Sequence, residues 1–135
     1  MITILTSYVV TLVFFLGLDF VWLAWIAKPT YAAEMGGLLR QKPNLVAAAA
    51  FYLLYAAGLT LFAVNPGLKA DSVLQAMALG AALGLVAYGT YDLTNLAVLD
   101  GYRMRIALID IAWGTAASAA ISALVVVTTR NIFPG

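Results

Sequence analysis

Tyr88-Gly89-Thr90-Tyr91-Asp92-Leu93-Thr94-Asn95 sets a carboxyl group inside an apolar run that extends from Val73 to Leu99. A charge in hydrocarbon is costly, so an ionisable residue in such a run marks a candidate functional site. The run itself decides the fold. About 20 predominantly apolar residues suffice to span a bilayer as a helix. Four segments of the chain meet that length: 4–27, ended by Lys28-Pro29; 44–64, ended by Asn65-Pro66-Gly67; 72–99, ended by Asp100-Gly101; and 106–129, ended by Arg130. Pro and Gly at the breaks are ordinary stop signals.

Composition agrees. Of the 135 residues, 64% are hydrophobic and only 10% charged, against roughly a quarter charged in a soluble domain. So few charges cannot cover a water-facing surface. The expectation is one all-α transmembrane domain over residues 1–135, a bundle of four helices embedded in the lipid bilayer. There is no cysteine and no histidine, which excludes disulfides, thiolate chemistry and imidazole ligation of a metal or haem. Any metal site would have to be built from carboxylates alone; none is assigned, and no cofactor is expected. A net charge of +1 without a basic run argues against nucleic acid as a partner. Met1-Ile2-Thr3 lacks the basic residues of a signal peptide, so the first run reads as a retained helix. A bacterial inner membrane is the simplest location.

Residues 28–43 form the longest connection. Pro29-Thr30 can start a helix, and Tyr31, Met35, Leu38 and Leu39 are spaced to share one face. This predicts a short amphipathic helix at the membrane surface. The first and third connections share one side and carry Lys28, Arg40, Lys42, Arg103 and Arg105; Lys69 and Arg130 lie on the other side with both termini. The excess of basic residues places the first two connections named in the cytoplasm and both termini on the periplasmic side.

Two further acids lie in apolar runs. Asp19 is nine residues before Lys28, Asp92 nine before Gly101, and Asp110 five after Arg105. At 1.5 Å per residue all three sit about 7–14 Å below the same surface. One shared polar layer is more economical than three isolated buried charges. Helical spacing puts Tyr88, Asp92 and Asn95 on one face of the third helix, Asp19 and Trp22 on one face of the first, and Asp110, Trp113 and Gly114 on one face of the fourth. Asn44, Tyr52 and Tyr55 approach the same layer from the second helix. The candidate binding pocket is therefore Asp19, Trp22, Tyr52, Tyr88, Asp92, Asn95, Asp110 and Trp113. Clustered carboxyls repel, so at least one is expected to hold a proton. The plain alternative is that each Asp only ties helices together. Trp25, Tyr31 and Tyr102, nearer the ends, read as interfacial anchors. Gly80-x-x-x-Gly84 and Gly114-x-x-x-Ser118-x-x-x-Ser122 permit close helix contact, read as packing within the bundle.

Leu18-Asp19-x-x-Trp22, Lys42-Pro43-Asn44, Phe51-Tyr52-Leu53-Leu54-Tyr55, Tyr91-Asp92-Leu93-Thr94-Asn95 and Asp110-Ile111-Ala112-Trp113-Gly114 resemble the bacterial membrane proteins grouped as domain of unknown function 2177. The resemblance covers nearly the whole chain and implies a small integral membrane protein; it supplies no activity and no catalytic residues.

Three functions fit these residues. The pocket could bind or transport a small polar or amphipathic molecule. It could belong to a membrane enzyme that acts on a lipid, with an Asp as acid or base. Or the chain could be an accessory subunit of a larger assembly of membrane proteins, its acids purely structural. The outer halves of the helices look uniformly apolar, which argues against a permanent channel. Orientation is directly testable: a single cysteine at Lys42 should react with an impermeant thiol reagent only from the cytoplasmic side, and one at Lys69 only from outside. Labelling of Lys42→Cys from outside would reverse the topology.

Overall fold

The computed structural model describes residues 1–27, 29 and 44–134. The amphipathic helix expected within residues 28–43 lies outside the described residues, as do Tyr31 and the side chain of Trp25. The described chain is helical, with four helices long and apolar enough to cross a membrane. Helix α1, Ile2–Val21, continues into a π-helical turn, Trp22–Ala27. Helix α2, Leu45–Leu59, passes through a second π-helical stretch, Thr60–Val64, into a last turn, Asn65–Lys69. Helices α3, Val73–Val98, and α4, Met104–Ile132, follow.

The ends have local causes. The Asn44 side chain accepts from the Ala47 amide at 3.1 Å and caps α2, so this residue serves the helix terminus and not the pocket it was expected to approach. Ser72 caps α3 in the same way, accepting from the Gln75 amide at 3.0 Å. Asn65-Pro66-Gly67 does not end α2 as its composition suggested. The preceding turn is already wide, with the Asn65 amide reaching back five residues to the Thr60 carbonyl. Pro66, which cannot donate, enters where the ladder has been loosened. The chain reverses at Asp71, which adopts a left-handed φ of 52°, and Asp71 pairs with Arg130 at 3.0 Å. The second reversal uses Gly101 at φ 83°, a conformation that an L side chain resists.

Burial runs opposite to a soluble protein. On α1 the buried positions are Ser7, Thr11, Phe15 and Asp19, four residues apart, three of them polar. The outward positions include Leu5, Val9, Val13, Leu16 and Phe20. Large apolar side chains facing out and polar ones facing in is the pattern that lipid selects, because polar groups must be satisfied inside the bundle.

Among the described residues the most extensive contact is between α3 and α4. A Cβ added at Gly80 would fall 2.6 Å from the Ser118 carbonyl oxygen, and one at Gly84 would fall 2.7 Å from Ser118 Oγ. A Cβ at Gly114 would collide with the Tyr88 ring. The small-residue pattern thus forms an internal seam that brings the two backbones together. Around it pack Phe15, Leu59, Val64, Ile121, Val125 and Val126.

The helix halves on the side of both chain ends, expected from composition to be uniformly apolar, are not so once their inner faces are separated from their outer ones. Ser7, Thr11, Thr60, Ser122 and Thr129 are all buried there. Ser7 Oγ meets Thr129 Oγ1 at 3.3 Å, and Thr60 Oγ1 donates to Thr11 Oγ1 at 3.4 Å. Most of these hydroxyls also bond a carbonyl one turn back, as Thr11 does to Ser7 at 2.7 Å. The Ser7–Thr129 and Thr60–Thr11 pairs couple helices, whereas Ser122 Oγ is buried without a partner among the described residues. The seam predicts that Gly84→Leu will lower thermal stability in detergent by an overpacking term of about 1–3 kcal/mol, whereas Gly17→Leu, where an added Cβ meets nothing, should have little effect. Equal melting temperatures for G84L and the native chain would remove the seam from the account.

Candidate functional site

Asp19 lies one turn before the π-helical end of α1 and is buried. The Tyr52 hydroxyl from α2 donates to its Oδ2, and Trp113 Nε1 from α4 donates to its Oδ1 at 3.3 Å. A single carboxyl therefore gathers three helices. Trp22, three residues further on, stacks on Trp113 with centroids 4.3 Å apart and ring planes 7° from parallel. The Asp-x-x-Trp spacing on α1 and α4 thus ends in one indole pair.

Tyr88 occupies the space that Gly114 leaves empty, which fixes its ring against α4. Tyr55 approaches that ring edge-on at 5.9 Å and bonds Ser118 Oγ at 2.6 Å through its hydroxyl. Phe15, Phe51 and Tyr52 complete an aromatic cluster with Tyr55, centroids 5.2–6.1 Å apart. These rings support the site from the bundle interior.

Between these elements lies a cavity of about 390 Å³. Asp19, Trp22, Tyr88, Asp110 and Trp113 all line it, five of the eight residues selected from the sequence. Tyr52 stands behind Asp19 and lines a neighbouring groove of about 480 Å³ with Leu16, Phe20 and Ala24. Leu23 borders both spaces. Phe51, Ala87 and Tyr91 complete the cavity wall; helical spacing from the acids alone did not select them.

Asp92 and Asn95 are not among the described lining residues. Asp92 is fully buried behind the cavity. The Tyr102 hydroxyl donates to its Oδ1 at 2.6 Å. Its Oδ2 makes no well-formed hydrogen bond among the described residues, while the Asp110 carboxyl interacts with it directly. Asp110 also acts electrostatically on Asp19. It is therefore the acid that connects the other two. Asn95 is half-buried and reaches the phenols of Tyr91 and Tyr102.

Tyr102 is the residue the sequence reading misplaced. Its position near a helix end suggested an interfacial anchor; instead it is 7% exposed and bound to Asp92. The signal was the preceding Asp100-Gly101. A glycine able to adopt positive φ turns the connection sharply enough to fold the next side chain back under α3. Burial pushes the Tyr102 phenol above the ordinary tyrosine range, and the Asp92 carboxyl adds to the shift.

The chain belongs to the family described as Predicted membrane protein (DUF2177), whose model matches residues 4–127. No curated protein and no solved structure matches it. The family and the four apolar helices together make it a membrane protein in contact with the lipid bilayer.

Tyr102→Phe removes the donor from a buried acceptor and should destabilise the fold by about 1–3 kcal/mol, measured by thermal unfolding in detergent; Tyr91→Phe, at a position 54% exposed, should change it far less. Because folding raises the Tyr102 value above the free phenol's 10.0, its contribution is complete below that pH and declines as pH rises beyond it. Y102F should lack this alkaline component.

Proposed function

We propose that this protein binds a small amphipathic molecule within the bundle, in the bacterial inner membrane, with the site near the cytoplasmic surface and both termini on the periplasmic side. Asp19, Trp22, Tyr88, Asp110 and Trp113 form the wall that meets the polar end. Tyr52 positions Asp19, and Asp92 and Asn95 support Asp110 and the α3–α4 connection from behind. The observation that carries the reading is the cavity of about 390 Å³ with two carboxyls in a wall otherwise of five aromatic residues, Leu23 and Ala87, adjoining an apolar groove at Leu23. Ligand sites are typically concave, of a few hundred Å³, largely apolar, with a few convergent polar groups. Acids that served only as ties between helices would need no such space beside them.

The rim supports access from the bilayer. Leu23, Phe51 and Tyr91 are 41%, 43% and 54% exposed, so the wall is lowest where its side chains are apolar. A polar head could reach Asp19 and Asp110 while its tail remained in hydrocarbon. This arrangement satisfies the carboxyls without opening a water path across the membrane.

Filling the cavity tests the reading. Native mass spectrometry of the purified chain should detect a bound molecule of discrete mass, and Ala87→Phe, which projects a ring into the space, should lose it while keeping its melting temperature. Retention of the same mass by A87F, or a native chain that never carries one, would count against the site.

A further inference from the structure

At the end of the bundle that carries both chain ends lies a second hollow, of about 730 Å³, between the start of α1, the turn after α2 and the end of α4. Asp71 and Arg130 line it, with Thr3, Asn131, Leu68 and Phe133 also in its wall. It is separate from the candidate cavity: Arg130 stands about 30 Å further along α4 than Asp110, at 1.5 Å per residue. Arg130 also closes the last apolar run and Thr3 lies just before the first. The hollow is therefore at the boundary between hydrocarbon and water, the level of lipid headgroups.

Asp71 and Arg130 pair at 3.0 Å, yet their side chains are 77% and 43% exposed. An ion pair so open adds little to stability. Asp71 also holds a φ of 52°, where glycine would serve the turn better. The need to reverse the chain does not account for a carboxyl at this place. Neither side chain has a further partner among the described residues. The contact occupies one nitrogen and one oxygen, whereas a guanidinium carries five N–H donors and a carboxylate two accepting oxygens. A single negative head would meet the Asp71 carboxyl, and a single positive one the guanidinium. A head that carries both signs satisfies both: phosphate oxygens accept from Arg130, and an ammonium donates to Asp71.

We propose that this hollow holds the headgroup of a zwitterionic phospholipid whose terminal amine is primary. The phosphodiester lies against Arg130 and the ammonium against Asp71, with Thr3 and Asn131 as further polar wall. The apolar side chains of Leu68 and Phe133 meet the glycerol end, where the acyl chains leave for the bilayer. A primary ammonium has three N–H donors for the carboxyl, and a trimethylated one has none. The site thus distinguishes heads of equal net charge by their hydrogen bonds.

The test titrates the full chain in neutral maltoside micelles with dioleoyl phospholipids that differ only in the head, and reads bound lipid by native mass spectrometry. Phosphatidylethanolamine should bind at least about threefold more tightly than phosphatidylcholine or phosphatidylglycerol, with the N-methyl and N,N-dimethyl heads between. Asp71→Asn should bring the ethanolamine lipid down to the choline level and spare the choline lipid, since asparagine tolerates the left-handed turn. If melting shows that D71N does not fold, Asp71→Gly serves, glycine being at ease at this φ. Arg130→Gln should weaken both lipids; unchanged binding in R130Q overturns the phosphate contact. Equal affinity for ethanolamine and choline heads, or preference for the glycerol head, overturns the assignment, as does an ethanolamine preference that survives loss of the Asp71 carboxyl. Glycerophosphoethanolamine, the same head without tails, should not compete at equal concentration. If it does, the hollow takes a soluble ligand and the lipid assignment fails.

Discussion

Hydrocarbon offers no hydrogen bonds, so every polar group carried into the bundle must be satisfied by another part of the chain. The rest of the structure follows from that constraint. It explains why three of the four buried positions on α1 are polar, and why hydroxyls in the terminal half bond back to their own helix. It also explains why each acid of the odd-numbered helices meets a phenol from the element that follows: Asp19 meets Tyr52, and Asp92 meets Tyr102. In water such groups could face solvent. Here they determine which helices must touch.

The α3–α4 seam supplies the rigidity that this arrangement needs. Gly80, Gly84 and Gly114 leave no room for a Cβ, and the close approach holds Tyr88 and Asp110 in a fixed relation. Against this frame α1 contributes Asp19 from regular helix and Trp22 from a π-helical turn. The cavity is therefore bounded by a tightly packed pair on one side and by a locally widened helix on the other. A wide turn changes the direction of side chains beyond it, which lets Trp22 lie flat on Trp113 while Asp19 receives the same indole's N–H.

The architecture was legible because length and apolarity suffice to define spanning helices. Depth counting also brought Asp19 and Asp110 to one level, since a helix is a ruler, and the Asp-x-x-Trp spacing anticipated that Trp22 and Trp113 belong with them. Spacing could not show what lies across a helix interface. That Tyr88 enters the place left by Gly114, and that Asp92 turns away from the cavity to meet Tyr102, depend on the relative rotation of α3 and α4. Tyr102 was misread because a connection of five residues holds too little periodic information to reveal a side chain folded inward. The end of α2 was misread because Pro66 signals a break only where the helix is regular, and the turn before it is not. Ser7, Thr11, Thr60 and Ser122 were lost within apolar runs, where hydropathy averages the inner face with the outer.

The two partners of Asp19 also differ in when they exist. A chain made from its N-terminus places α1 in the membrane before α2, α3 and α4, its acid still without the partners they bring. Tyr52 arrives with the very next helix, whereas Trp113 arrives only with the last. The Tyr52 hydroxyl can thus shelter the carboxyl during synthesis, as a chaperone built into the chain, until α4 completes the pair. Asp92 follows a still shorter schedule, since its phenol emerges ten residues behind it. The order of the sequence thereby limits how long either acid waits alone in the bilayer.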